Sequence, residues 1–238
     1  MALRVLVVRP QPGAAATAEA LERAGHEPVV MPLTEIVPLA SPQPAGASFD
    51  AVAATSANAI RQASPTLIEP LRDIPFHAVG EATAQAARAA GFRRVETAEG
   101  DADRLAEMIL DRFKAGSRLL YLCGKVRRRE FEAALVAAGI DVGIAETYDT
   151  VAVPPDDGQL AALGAVDTVL VHSAEAAKAL LRLRSRAGSF LERAAFIAIS
   201  QRAAEPLRDA GAPRLLVAET PSEAAMFARL GQVMSDGL

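Results

Sequence analysis

The chain writes one phrase twice. Residues 50–63 read DAVAATSANAIRQA and residues 167–180 read DTVLVHSAEAAKAL. Each holds an Asp, an apolar run, a Ser, a small residue and an alanine-rich segment. The likeness extends outward from there. RVLVVRPQPGAAATAEALERAGHEPVVMP aligns without a gap on RLLYLCGKVRRREFEAALVAAGIDVGIAE, with Arg4 over Arg118, an offset of 114. The opening pair aligns at an offset of 117, Asp50 over Asp167. A third match sets Phe76 over Phe196 and Gly91 over Gly211, an offset of 120. A chain that repeats itself in this way carries a duplicated domain.

The repeating unit is a strand followed by a helix. Short apolar runs occur at 4–8, 28–32, 50–55, 76–80, 93–98, 118–123, 142–147, 167–172, 195–200 and 214–219. Most lack polar alternation, as strands buried on both faces do. Alanine- and leucine-rich segments with helical spacing lie between most of them, which predicts parallel sheets with helices on both faces. Gly25, Gly91, Gly139 and Gly211 each stand where a helix needs a left-handed cap before the next strand.

The order of the units matters more than their number. The first stretch holds units one and two, and 50–97 hold three, four and five; 118–147 hold one and two again, and 167–219 hold three, four and five. Either two domains follow in line, or the middle copy is inserted and circularly permuted, so that both chain ends build one domain. PLTEIVPLA (32–40) and ETYDTVAVP (146–154) are extended, β-branched and flanked by proline, and could pair as a two-stranded hinge. We take the inserted arrangement: residues 1–36 and 153–238 as a first, discontinuous α/β domain, and 37–152 as a second.

Composition narrows the function. The chain has 238 residues, enough for two small domains with real cores. Its net charge of −4 is not that of a typical nucleic-acid binder. No apolar stretch reaches the length of a membrane span, and Arg9 and Pro10 interrupt the first apolar run, so a cytoplasmic protein is expected. The single Cys123 ends an apolar strand and reads as a buried, inert thiol. His26, His77 and His172 are scattered, with no metal-ligand spacing. There is no G-x-G-x-x-G, no P-loop and no G-x-S-x-G elbow.

In open α/β sheets ligands bind beyond the carboxyl ends of the strands. Those ends offer Arg9, Ser56, Gly80, Gly124, Tyr148, Ser173 and Ser200, and two such edges facing each other would make a cleft. Ser56 and Ser173 are also natural helix caps. Thr83 lies early in a helix opening at Gly80, where a hydroxyl bonds either its own backbone or a ligand. Arg127 and Arg128 follow Gly124, and guanidinium pairs carboxylates bidentately. Tyr148 is one of only two tyrosines, either a half-buried aromatic or a general acid.

At this point the residues resemble the uroporphyrinogen-III synthase family. The resemblance rests on VVRP at the first strand end, L-x-x-A-G-H-x-P-V-V-M-P-L-x-E-I, DAVAATSANAI, A-V-G-x-A-T-A (78–84), the run from Gly124 to Arg129 before L-x-x-A-G, E-T-Y-D-T, D-T-V-L-V-H-S and I-S-Q-R-A-A. These pieces span nearly the whole chain in order. The resemblance implies two similar parallel-sheet, flavodoxin-like α/β domains joined by a two-stranded β hinge, one of them discontinuous. It implies a lyase that cyclises hydroxymethylbilane, a linear tetrapyrrole with eight carboxylates, inverts the last ring and releases water on the way to haem. No metal or organic cofactor is expected, nor a nucleic-acid or membrane partner, and a monomer is expected. By the same resemblance Tyr148 is the acid that helps hydroxide leave. Arg9, Ser56, Gly80, Thr83, Gly124, Arg127, Arg128, Ser173 and Ser200 are expected to grip the substrate. One departure is visible: many relatives carry a threonine after the fourth strand of the second copy, where this chain reads Ser200, Gln201, Arg202, Ala203. A non-catalytic two-domain module that binds small anions is the other reading.

Overall fold

The computed structural model describes residues 2–41, 48–98, 100–127, 129–183 and 193–235. In chain order the elements are β1 (Arg4–Val7), α1 (Gly13–Arg23), β2 (Glu27–Val30), β3 (Thr34–Pro38), β4 (Ala51–Ala54), α2 (Ala57–Arg61) and α3 (Pro65–Ile68). They continue with β5 (Phe76–Ala78), α4 (Glu81–Ala89), β6 (Val95–Thr97), α5 (Ala102–Leu110), β7 (Arg118–Gly124), α6 (Glu130–Ala137) and β8 (Asp141–Ala152). The last are α7 (Asp157–Leu163), β9 (Thr168–Val171), α8 (Ala174–Arg182), β10 (Ala195–Ala198), α9 (Gln201–Asp209), β11 (Leu215–Val217) and α10 (Glu223–Ser235). All ten apolar runs form strands. The chain divides into two compact units, Met1–Glu35 with Val151–Leu238, and Ile36–Thr150.

The first unit's sheet has the order β11-β10-β9-β1-β2, with every pair parallel. The second sheet runs β3-β8-β7-β4-β5-β6, and the pairs from β8 to β6 are again parallel. The two arrangements are one design in two chain orders. Val5 pairs with Thr168 in the first unit, and Leu119 pairs with Ala51 in the second. Those partners differ by the same offsets of 114 and 117 that align the sequences. The repeated Asp of the opening phrase has the same task in both: Asp167 accepts the Arg4 backbone N–H at 2.7 Å, and Asp50 accepts that of Arg118 at 2.8 Å. The repeated Ser caps the helix that follows.

β3 adds a sixth strand to this second sheet. The Leu39 N–H bonds the Thr147 carbonyl, and the Val153 N–H bonds the Leu33 carbonyl, each at 2.9 Å. One index rises as the other falls, so this ladder is antiparallel. The two extended segments read from the sequence thus do pair. The second of them is no separate strand, because β8 runs unbroken through it for 12 residues.

Burial explains the missing alternation. Along β1, Leu6 and Val8 pack with Val169 and Phe196 in one layer, while Val5 and Val7 pack with α1 and α10 in another. In the second unit Val52, Ala54, Leu120 and Leu122 share one layer, and Ala51, Ala53, Leu119 and Tyr121 the other. The central strands β1, β4 and β7 each feed two cores, and each fully buried Leu contributes about 1.5–3 kcal/mol. The four expected glycines have φ of 81°, 96°, 82° and 70° at Gly25, Gly91, Gly139 and Gly211. This left-handed turn is where each helix stops.

One buried polar side chain sits uneasily in this core. His77 is 1% exposed, and neither ring nitrogen has a hydrogen-bond partner among the described residues. Burial, helped by the Arg112 charge, lowers its pKa from 6.5 to about 4, although Glu96 lies 3.8 Å from Nδ1. The unfolded chain therefore binds a proton that the folded chain refuses between those two values. Stability from this ring is full above pH 6.5 and is lost as pH falls toward 4, by about 3 kcal/mol. His77→Leu, which suits the edge contact with Phe113, is expected to flatten the acid limb of a urea-midpoint profile over that range. An unchanged slope would assign acid sensitivity to other groups.

Candidate functional site

In the second unit the candidate residues lie at the carboxyl ends of β4, β5 and β7, and Tyr148, expected at a strand end, instead sits inside β8, opposite Gly124 at the end of β7. Ser56 follows β4 and accepts the Asn58 backbone N–H at 3.2 Å as the cap of α2. Gly80 caps α4 with no side chain, and a Cβ placed on it would meet nothing within 4 Å. That edge leaves room for a ligand to approach the backbone. Thr83 lies in the first turn of α4 and is 4% exposed.

Gly124 and Tyr148 form a single feature. The register of β7 on β8 shifts between Cys123 and Gly124, so that Cys123 faces Glu146 and Gly124 faces Tyr148. Such a bulge re-aims side chains. Here it lays the Tyr148 ring against Gly124: a Cβ at Gly124 would lie 2.6 Å from Cζ and 3.0 Å from Oη. The Lys125 N–H, bonded to the Tyr148 carbonyl at 2.8 Å, fixes the backbone beneath the ring. The other tyrosine contrasts with it. Tyr121 is 1% exposed, its hydroxyl lies 2.7 Å from Thr55 Oγ1, and burial pushes its pKa up to about 12. Cys123 is likewise buried, and its thiol is pushed up to about 12, as expected of an inert core sulfur.

Arg127 is held inside this unit. Its Nη1 bonds Glu146 at 2.6 Å and the Gly124 carbonyl at 3.3 Å, and its Nε bonds Glu132 at 3.1 Å. Burial opposes the charge, yet the bond to Glu146, with Glu132 behind it, raises the pKa above its ordinary value. The guanidinium clamps the start of α6 to β8 behind Gly124. Arg128 lies outside the described residues.

In the first unit Ser173 follows β9 and caps α8, accepting the Ala176 N–H at 3.1 Å. Ser200 follows β10 and caps α9, accepting the Ala203 N–H at 3.3 Å. A hydroxyl that accepts from the backbone still has its own proton to donate outward. Arg9 follows β1, and its Nη1 donates to Thr17 Oγ1 at 3.2 Å and to Glu223 at 3.3 Å. Thr17 is fully buried and in turn donates to Glu223. His172 Nε2 lies 3.6 Å from the same carboxylate, beyond ordinary hydrogen-bond length. Burial lowers the His172 pKa. The His172 ring, against the opposing effect of burial and with Thr17 and Arg9, brings Glu223 down to about 2.

Glu223, Thr17 and Tyr121 are not among the residues that the sequence singles out. A signal existed for Thr17, since the repeat alignment sets it over Phe131, a polar residue where the other copy packs an aromatic ring. Glu223 gave no such signal, being 214 residues from Arg9.

Chemically the first unit's edge offers hydroxyl donors and a guanidinium, and the second unit's a hydroxyl, open backbone and a phenol, groups that suit carboxylates. No group of His, Cys, Asp and Glu among the described residues could hold a metal ion, and no helix there is long and apolar enough to cross a membrane. Known structures show the same fold. A uroporphyrinogen-III synthetase from Helicobacter pylori 26695 matches with a TM-score of 0.69 at 23% identity, covering 98% of this chain and 100% of that one. A mutant uroporphyrinogen III synthase from the extremely thermophilic bacterium Thermus thermophilus matches with a TM-score of 0.58 at 19% identity, covering 99% and 100%. The family model described as uroporphyrinogen-III synthase HemD matches residues 15–228, nearly the full length, and the chain therefore belongs to the uroporphyrinogen-III synthase family.

Proposed function

We infer that this chain closes hydroxymethylbilane to uroporphyrinogen III, inverting the last pyrrole ring and releasing water. The observation that carries the reading is the family match across residues 15–228. The chemistry of the strand ends supports it, and no feature of the molecule favours a non-catalytic anion-binding module. We read it as a cytoplasmic monomer that takes a linear tetrapyrrole and neither nucleic acid nor membrane.

The substrate is reactive by itself. Loss of its hydroxyl gives an azafulvene, and unassisted closure gives the type I isomer. Control of the bilane's conformation is therefore the main task, and held geometry supplies it. In this reading Ser56, Ser173 and Ser200 donate hydroxyl protons to acetate and propionate groups, and the open backbone at Gly80 takes another. Arg9 pairs with one carboxylate. Thr83, buried in the first turn of α4, sets the shape of that edge. Tyr148 gives its phenolic proton to the departing hydroxide, so that water leaves. The substituted carbon of the last ring attacks the azafulvene carbon, and the spiro intermediate fragments and recloses inverted. The ring then loses a proton to restore the aromatic pyrrole. Gly124 is the seat of the Tyr148 ring, and Arg127 holds that seat in place.

Product analysis tests the reading. Hydroxymethylbilane is generated in situ by its upstream deaminase, the protein is added, and the oxidised uroporphyrins are separated by isomer. Mostly isomer III is expected. Isomer I alone, from protein shown to be folded, would leave a binding module and sink the enzymatic reading.

A further inference from the structure

The duplicated fold provides its own control. The positions that hold Arg9, Thr17, His172 and Glu223 in the first unit hold Cys123, Phe131, Thr55 and Asp103 in the second, by the offsets of 114, 117 and 120. There the first three pack as a thiol and a ring in an apolar layer and a threonine at its end, and Asp103 is exposed. The fold thus closes the same space without a half-buried ionic cluster. A guanidinium, a carboxylate and an imidazole in that space cost desolvation that apolar residues avoid. His172 sharpens the point: its side chain is 6% exposed and neither ring nitrogen has a hydrogen-bond partner among the described residues. The cluster also has a telling address. Arg9 ends β1 and His172 ends β9, the adjacent strands from which the chain order runs outward in opposite directions. That reversal is where open α/β sheets bind ligands.

We propose that Glu223 is a positioning residue that, with Thr17, holds the Arg9 guanidinium in the one orientation that receives a substrate carboxylate. The geometry is that of a braced donor. Arg9 Nη1 is bonded to both Thr17 and Glu223, and Thr17 bonds Glu223, closing a triangle. The opposite edge of the guanidinium lies over the start of α1, where a Cβ on Gly13 would come within 2.6 Å of Nε and 2.8 Å of Nη2. The glycine allows this approach, and the triangle keeps the long side chain from leaving it. A braced guanidinium loses little conformational entropy on pairing a carboxylate. The first unit thereby carries a fixed cation for one side chain of the bilane. The second unit has no counterpart at these positions.

This inference rests on Arg9 meeting substrate, and the experiment separates the two. KM, kcat and the ratio of isomer III to isomer I are measured for Arg9→Gln, Glu223→Gln, Gly13→Ala and the Arg9→Gln/Glu223→Gln pair, with folding checked by circular dichroism. Arg9→Gln is expected to raise KM ~10- to 100-fold. Glu223→Gln is expected to raise it by about three- to tenfold, with the larger share of its effect on KM. The double variant should be no worse than Arg9→Gln, because Glu223 acts only through Arg9. Gly13→Ala displaces the guanidinium without removing any charge and should give the same kind of KM effect. It carries the test if Glu223→Gln does not fold. Additive losses in the double variant, or an unchanged KM in both Glu223→Gln and Gly13→Ala, overturn the positioning role. An unchanged KM for Arg9→Gln, with wild type making isomer III, overturns the inference and spares the enzyme. Wild type making no isomer III overturns both.

Discussion

Tyr148→Phe is expected to lower kcat for uroporphyrinogen III by about 10²–10⁴-fold, with a much smaller change in KM. The chain's two phenols sit in opposite settings. Tyr121 is sealed in the core beside Thr55, and its pKa is pushed up to about 12, so it is a poor acid. Tyr148 is only half-buried and lies on a bulge that turns its ring over Gly124, at the carboxyl end of β7. Removing the Tyr148 hydroxyl leaves ring packing intact and deletes only the proton. Spontaneous closure then competes, so the product should shift toward isomer I as the enzymatic rate falls. Initial rates and isomer chromatography on the same samples read both effects. A variant with the full wild-type rate would remove Tyr148 from the chemistry and leave substrate folding as the whole of catalysis.

The second large effect concerns stability. Arg127→Met is expected to cost about 2–3 kcal/mol, lowering Tm by roughly 4–12 °C, because it strands Glu132 and Glu146 beside an apolar chain. The figure sits below that for a fully sealed pair because Glu146 is 41% exposed, and solvent softens its loss. Urea unfolding at pH 7 measures it. KM in the folded variant should stay close to wild type, since the guanidinium faces Glu146, Glu132 and the Gly124 carbonyl. A tenfold higher KM at unchanged stability would instead make Arg127 a substrate contact. The sequence could not decide between these roles. An Arg after a strand-end glycine looks the same whether it waits for a ligand or pairs with a carboxylate on β8.

That ambiguity marks the boundary of what the sequence discloses. Strands such as Val5–Val7 and Val169–Val171 were legible because burial on both faces writes an unbroken apolar run, and Gly91 because a left-handed turn excludes most other residues. Ser56 and Ser173 were legible as caps because capping is a contact between near neighbours. The site was less so. Tyr148 against Gly124 depends on a one-residue slip between β7 and β8, and Arg9 on a carboxylate from the far end of the chain. The first is a product of strand pairing and the second of a helix packing on the sheet, and neither leaves a local trace in composition or periodicity. The length of β8 was hidden for a related reason: its outer half pairs with β3, so its pattern reads as a separate segment.

The placement of the second unit within the chain has a kinetic consequence. All of Ile36–Thr150 is contiguous, whereas the first unit must join Met1–Glu35 to Val151–Leu238 across that whole span. As a flexible loop, such a span would cost about 4 kcal/mol to close. The antiparallel ladder that ties Leu33 to Val153 and Leu39 to Thr147 brings its two ends together. Once the inner unit has folded, the outer one no longer meets that entropy barrier. Synthesis order favours the same sequence of events, since β4 to β8 are complete before β9 emerges. Refolding should therefore show two phases, with the inner unit's tyrosines reporting the earlier, and a lesion in its core should slow the assembly of a domain it does not belong to.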